Sequence, residues 1–216
     1  AATNVNAEDL SALGGKTAAT VTVSNAVNIV GTTAQVTAAL VTDDTKVIAS
    51  TATVALDAGQ TPTVSQLNDI ADATDGVVTA TLAAAALADL GALSTESDDD
   101  ITITVNDGEG DDLNAETLSA LGGKTAGDVT VSNAVVISGT QAQVTAALVT
   151  NETKVTAANA LVTVSDDAAT NLNAEDLRAI GGATGGTVTV TNAVNIQGTQ
   201  AQVTAALVTE ETKVTA

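Results

Sequence analysis

The chain contains no Phe, Trp, Tyr, Met, Cys or His among its 216 residues. Aromatic side chains normally bury about 150–250 Å² each in a protein core, so this core has to be built from Val, Leu, Ile and Ala. Small side chains fill narrow spaces well, which predicts a slim core of regular cross-section. Without His and Cys, the usual nucleophile–base pairs and soft metal sites are excluded. We therefore predict that the protein is not an enzyme.

Basic residues are also scarce, with six Lys and Arg against 26 Asp and Glu and a net charge of −20. This balance argues against binding to nucleic acid, where cations must neutralise phosphates, and against anionic membrane surfaces. No apolar run is long enough to span a bilayer, and no signal peptide is recognisable. The hydrophobic content of 44% is too high for a disordered acidic tail. The charge fits a secreted or cell-surface protein that lives with salt and divalent cations.

One stretch of sequence returns along the chain. Residues Asn6–Ala49 align without gaps on Asn114–Ala157 and on Asn173–Ala216, and a diverged copy lies at about 59–110. We therefore predict four tandem units at residues 1–57, 58–110, 111–167 and 168–216, the last one truncated. Repetition at a fixed period is typical of solenoids and arrays. Because the chain begins and ends inside this pattern, we expect it to be a piece of a longer protein.

Each unit is predicted to contain two short helices. Asn6 is a preferred N-cap, Leu10 and Leu13 form an apolar face, and Gly14-Gly15 end the first helix. Capping boxes of the form Thr-x-x-Gln open other helices, at Thr32–Gln35 and at Thr63–Gln66.

Strands are predicted after the helices. Val21–Ile29 alternates apolar and polar residues, which indicates a half-buried strand of nine residues. The positions of this strand that are predicted to face inward include Asn25, which is matched by Asn133 and Asn192 in the other copies. We assign these Asn residues a structural role. Either they form a ladder between stacked copies, or the strand bends and the side chain caps the turn. A second strand is predicted at about Lys46–Leu56.

Helix–strand alternation with short links favours a parallel sheet. Eight pairs in 216 residues leave about 27 residues for each, the size of one turn of a solenoid. The predicted fold is therefore a repeat solenoid of parallel strands alternating with short helices. A pure β-solenoid is the alternative, and tandem β-sandwiches are less favoured because they need more strands and a large core residue.

The best candidate ion site is an acidic, Gly-containing loop at Asn106–Asp112, and Asp98–Asp100 and Asp166–Asp167 are weaker ones. Its carboxylates, from Asp107, Glu109, Asp111 and Asp112, have a spacing that can wrap oxygen ligands around Ca²⁺. The alternative is an acidic loop between repeats without a metal. No other cofactor is predicted.

Outward Thr residues with T-x-T spacing form a second candidate surface. They are Thr20/Thr22, Thr102/Thr104 and Thr187/Thr189/Thr191. Flat Thr arrays occur on ice-binding solenoids, whereas Thr is also an ordinary solvent-facing strand residue.

The chain resembles a known class of repeats in the segment VSQLNDIADATDGVV (Val64–Val78) and in the modules NAEDLSALGGKT (Asn6–Thr17), VTVSNAV (Val21–Val27) and VTAALVT (Val36–Thr42). It is similar there to repeats of very large secreted or surface proteins of bacteria, including marine cyanobacteria. Those proteins are often calcium-rich adhesins or matrix proteins exported by type I secretion. The resemblance implies a structural segment of a fibre, surface layer, matrix or adhesin stalk, secreted or held at the cell surface.

The two ends of the chain predict self-association. The sequence that starts at Ala1 is found again, nearly unchanged, from Ala168, and the chain stops within a copy. Solenoids expose core and strand edges wherever a polar cap is missing. We therefore expect the protein to bind copies of itself end to end, with the cell surface or matrix as a further partner. An ice-binding or calcium-dependent ligand-binding face is the alternative function.

Overall fold

The computed structural model of the chain describes residues 3–45, 47–209 and 214–216. Short helices and strands alternate along these residues, as the sequence predicts. The described α-helices are α1 (Ala7–Gly14), α2 (Thr33–Leu40), α3 (Val64–Ala71), α4 (Leu87–Leu90), α5 (Ala115–Gly122), α6 (Gln141–Leu148), α7 (Ala174–Ala183) and α8 (Gln200–Leu207). Single 3-10 turns follow α2 at Asp43–Thr45 and α6 at Asn151–Thr153.

The described strands are short, with two to six residues each. They are β1 (Thr3–Asn6), β2 (Val21–Thr22), β3 (Val27–Gly31), β4 (Val47–Ile48), β5 (Thr53–Leu56), β6 (Val78–Thr81), β7 (Asp100–Val105), β8 (Asp112–Asn114), β9 (Val129–Val131), β10 (Val136–Gly139), β11 (Val155–Thr156), β12 (Leu161–Val164), β13 (Asn171–Asn173), β14 (Val188–Val190), β15 (Asn195–Gln197) and β16 (Val214–Thr215). We call a helix together with the strands between it and the previous helix a segment.

The helices begin where the sequence predicts, because their first N–H groups find side-chain acceptors. The Asn6 side chain accepts from the N–H of Glu8 at 2.8 Å. Thr32 and Gln35 complete both halves of a capping box, and so do Thr63 and Gln66. Most of these helices have only eight residues, too few to be stable alone in water, so their stability comes from packing.

The Gly residues that end α1 act differently from the prediction. Gly15 has a right-handed backbone (φ −66°), so the left-handed turn that favours Gly after a helix is not formed there. A Cβ on Gly14 would overlap the backbone carbonyl of Thr45. The close approach of the 3-10 turn that follows α2 therefore explains Gly14 better than helix termination does.

All strand pairs among the described residues are parallel, and they join neighbouring segments. The spacing along the chain runs from 21 residues, for Thr79 with Asp100, to 26 residues, for Val129 with Val155. The sheets are open and no closed barrel is formed by the described strands. The protein is thus a mixed α/β fold in which parallel strands alternate with helices.

Two compact units are present, and we describe each by itself. The first comprises Ala1–Ala84, Ala92–Ile103 and Lys124–Gly127. In it the strands are ordered β1-β3-β5-β6-β7, with β2 paired to β4, and α2 packs against α1 and α3. Its core contains Ile29, Leu67, Ile70, Leu82, Leu93 and Ile101, which are almost fully buried.

The second unit comprises Ala85–Gly91, Thr104–Gly123 and Asp128–Ala216. Its largest sheet has the order β16-β14-β12-β10-β8, and β9–β11 and β13–β15 are further pairs. Helices α5, α6, α7 and α8 pack in succession, each on the next. Its core contains Leu118, Leu121, Ile137, Val162, Leu172 and Ile180. The limits of the two units differ from those of the predicted repeats.

The prediction of a continuous nine-residue strand is wrong. Val21–Ile29 is split into β2 and β3, and the same split separates β9 from β10 and β14 from β15. The predicted second strand is divided into β4 and β5 in the same way, and its Lys46 lies outside the described residues. The backbone bends between the halves, and an Asn at two of these bends, Asn133 and Asn192, bonds the preceding segment.

Candidate functional site

The four carboxylates of the predicted calcium loop do not converge. Asp107 Oδ2 accepts from the N–H of Leu87 at 2.8 Å, and Asp111 Oδ2 accepts from the N–H of Gly108 at 2.8 Å. Asp112 Oδ1 accepts from the Ser138 hydroxyl at 2.5 Å, while Glu109 is exposed. No group of three or more acidic side chains in the described part of the chain is arranged to hold a metal ion. The loop therefore acts through hydrogen bonds to the protein.

Asp107 closes the N-terminus of the helix in the preceding segment. Leu87 is the first residue of α4, which has no side-chain cap of its own. Asp166 serves α6 in the same way, since its Oδ2 accepts from the N–H of Gln141 at 2.6 Å. Gln60 Oε1 accepts from the first N–H of α2, on Thr33, at 3.1 Å. A side-chain oxygen from the next segment thus satisfies a helix N–H that has no partner within its own helix.

The three repeated Asn residues lie at the bends between strand halves. Asn133 Nδ2 donates to the Asp107 carbonyl at 2.6 Å, and Asn192 Nδ2 donates to the Asp166 carbonyl at 2.6 Å. Asn25 and Asn192 are exposed and Asn133 is half-buried, so the inward, fully buried placement is wrong. Asn133 and Asn192 bind loops of the preceding segment, which agrees with the bend interpretation and not with a ladder of equivalent Asn residues.

A buried Thr fixes the turn after each of the helices α3, α5 and α7, and sequence reasoning missed it. Thr125 Oγ1 accepts from the N–H groups of Ile101 and Gly127, each at 2.8 Å. It also lies 2.9 Å from the Asp99 carbonyl and 2.8 Å from the Ile101 carbonyl, toward which the hydroxyl donates. Equivalent bonds join Thr74 to Ala52 and Thr184 to Ala160. The signal was a Thr at the same place in every copy, Thr17 included.

A Gly two residues after each of these Thr residues lies against the backbone of the preceding segment. A Cβ on Gly76, Gly127 or Gly186 would overlap a backbone carbonyl, that of Ala52, Ile101 or Ala160 respectively. Real Cβ atoms do not approach oxygen so closely, so only Gly fits. The first copy has Ala19 at this place, where the backbone is exposed.

Gln side chains join consecutive helices. Gln35 Nε2 donates to Glu8 Oε2 at 2.9 Å, and the pairs Gln143–Glu116 and Gln202–Glu175 repeat this bond at 2.9 Å. The bond adds a link between α1 and α2, which pack on each other.

A second Gln links the third predicted repeat to the fourth. Gln141 Nε2 donates to the Asn173 carbonyl at 2.7 Å, and Gln141 Oε1 accepts from the Asn173 N–H at 2.9 Å. The side chain is buried. Both polar ends of one amide are therefore used on the backbone that leads into α7.

Two open grooves occur among the described residues. One of about 470 Å³ is lined by Thr20, Leu40, Val41, Thr42, Asp43, Val47 and Ile48. The other, of about 320 Å³, is lined by Leu87, Ala88, Asp107, Asp112, Leu113, Asn114 and Thr117. The carboxylates of the second groove are already bonded to Leu87 and Ser138.

The residues of the predicted Thr surface lie in strands or directly beside them. Thr20, Thr22, Thr102, Thr187, Thr189 and Thr191 are exposed, and Thr104 is half-buried. In the second unit, Thr163, Thr189 and Thr215 are in register across β12, β14 and β16. The adjacent outward row of that sheet contains Val136 and Leu161 instead.

No helix in the described residues has the length and apolar character needed to cross a membrane. Comparison with protein-family models, curated proteins and solved structures finds no match for this chain.

Proposed function

We propose that the chain is a non-enzymatic structural repeat whose segments stack as a solenoid. It extends a fibre, surface-layer, matrix or adhesin-stalk protein that is secreted or held at the cell surface, and it binds further copies of itself end to end. The polar contacts described above serve this role by fixing each segment on the one before it.

The observation that carries the proposal is the contact pattern between neighbouring segments. Strands pair in parallel with those of the next segment, and the side chains of Thr125, Asn133 and Asp107 bond across that boundary. These polar side chains thus hold neighbouring segments together. The acidic composition and the resemblance of the repeats to those of large bacterial surface proteins support the extracellular setting.

Light scattering and electron microscopy of the purified chain test the proposal. We expect linear assemblies that grow with protein concentration, and more of them at higher salt, because the charge of −20 repels neighbouring copies until it is screened. A monomer at every concentration and salt level would contradict self-association.

Ice binding is a second candidate function. The in-register row of Thr163, Thr189 and Thr215 supports it, since neighbouring strands lie about 4.8 Å apart and repeat a hydroxyl at that spacing. Thermal hysteresis of the wild type, lost in Thr189→Lys and kept in Thr130→Lys on β9, would favour this function. The absence of hysteresis in the wild type would remove it.

A further inference from the structure

The internal junction between α6 and α7 has matching halves at two other places in the chain. Helices α6 and α8 have the identical sequence QAQVTAAL. Helix α1, AEDLSALG, differs from the first eight residues of α7, AEDLRAIG, at only two positions. The residues before both helices also match, as Thr3–Asn6 reads TNVN and 170–173 reads TNLN. The chain therefore carries an α6-like surface on α8 and an α7-like surface on α1.

The internal junction shows how these surfaces bind. Helix α6 packs on α7, and Ile180 of α7 is 0% exposed. Gln141, the first residue of α6, is bonded through both ends of its amide to the backbone of Asn173. Packing of the two helices and a two-point hydrogen-bonded lock thus act together.

The matching halves elsewhere are open. Leu13 stands where Ile180 stands in α7, yet it is 53% exposed. Gln200 stands where Gln141 stands in α6, and it is exposed, whereas Gln141 is buried. No charged residue lies in α8, so no like charge on that helix opposes the approach of Glu8 and Asp9 on α1.

We propose that α8 of one copy docks on α1 of a second copy, with Gln200 bonded to the Asn6 backbone and Leu13 covered. This inference rests on the end-to-end association proposed above and names its contact. The contact is heterologous, because each copy offers one of two different surfaces, so it can continue from copy to copy.

The docking surface is the helix pair with its Gln–Asn lock. We expect association that is weak and strongly dependent on concentration.

Sedimentation velocity of the wild type and two surface variants tests the contact. Gln200→Thr removes the lock and introduces the residue that α2 carries at the same place, Thr33. Leu13→Ser removes the apolar contact at the other surface. Each variant should weaken association roughly tenfold or more, since two hydrogen bonds or a large apolar contact are lost. Ser65→Ala, an exposed change on α3, is the control and should associate as the wild type does.

A mixture of the two variants gives the sharpest result. Leu13→Ser keeps α8 intact and Gln200→Thr keeps α1 intact, so together they should form dimers and nothing longer. Variants that associate as the wild type does would overturn this contact while leaving end-to-end association by another surface. A wild type that stays monomeric would overturn the end-to-end association itself. Mixed variants that fail to form dimers while the wild type associates would exclude the pairing of α8 with α1.

Discussion

Replacing Thr125 by Val should destabilise the first unit strongly. The two side chains have nearly the same shape, so the change removes the hydroxyl and little packing. In the wild type this hydroxyl accepts from the N–H groups of Ile101 and Gly127 and donates toward the carbonyls of Asp99 and Ile101. The Thr125 side chain is almost fully buried, so water cannot easily replace these bonds.

The magnitude follows from the groups left without a partner. Two buried N–H groups lose their acceptor, and each costs about 1–3 kcal/mol. Loss of the donor to the carbonyls adds a smaller amount, while relaxation of the turn returns some of the total. We expect a fall of about 3–5 kcal/mol in the free energy of unfolding. In a chain of this length, that corresponds to a melting temperature lower by about 10 °C.

Thr17→Val is the matched control. Thr17 holds the same place in the first copy but is exposed, and its hydroxyl accepts only a local bond from the N–H of Ala19 at 3.0 Å. The control should change stability by less than about 0.5 kcal/mol. Thermal melting gives the totals, and hydrogen exchange at the amides of Ile101 and Gly127 gives the local effect. Equal melting shifts for the two variants, or unchanged exchange at both amides, would refute the reasoning.

Three further predictions concern the same boundaries. Gly186→Ala should lower the melting temperature markedly, because its Cβ would overlap the Ala160 carbonyl, whereas Gly182→Ala, which faces open space, should be neutral or stabilising. Asn133→Ala should lower the free energy of unfolding, measured by chemical denaturation, by about 1–3 kcal/mol. Asn25→Ala, at an exposed site, should leave it almost unchanged, and similar losses for the two variants would refute the bend contact. Asp107→Ala should lower the free energy of unfolding by about 0.5–2 kcal/mol through the lost helix cap, by the same amount in millimolar calcium and in chelator. A loss of stability seen only in calcium would support the metal site instead.

The sequence by itself determined the local structure. Asn6, Thr32 and Thr63 open helices as predicted, because a cap needs only a side-chain oxygen and an N–H two or three residues away. Parallel pairing between successive helix–strand segments also followed from the sequence, since a strand joined to the next by a short helix pairs with it in parallel. Composition alone excluded catalytic centres that need His or Cys.

The tertiary structure decided which residues meet across segments. Period two in Val21–Ile29 predicted one strand, yet the chain bends there and at the equivalent places in later copies, where the Asn133 and Asn192 amides bond carbonyls 26 residues earlier in sequence. The spacing of the acidic residues predicted Asp107 as a calcium ligand. In the fold its side chain caps α4 at Leu87, a contact that depends on how two segments stack. The Gly residues after the buried Thr residues are required by a neighbouring carbonyl that no local pattern contains. Local rules act within one helix or turn, and the contacts that hold one segment on the next exist only once the segments are packed together.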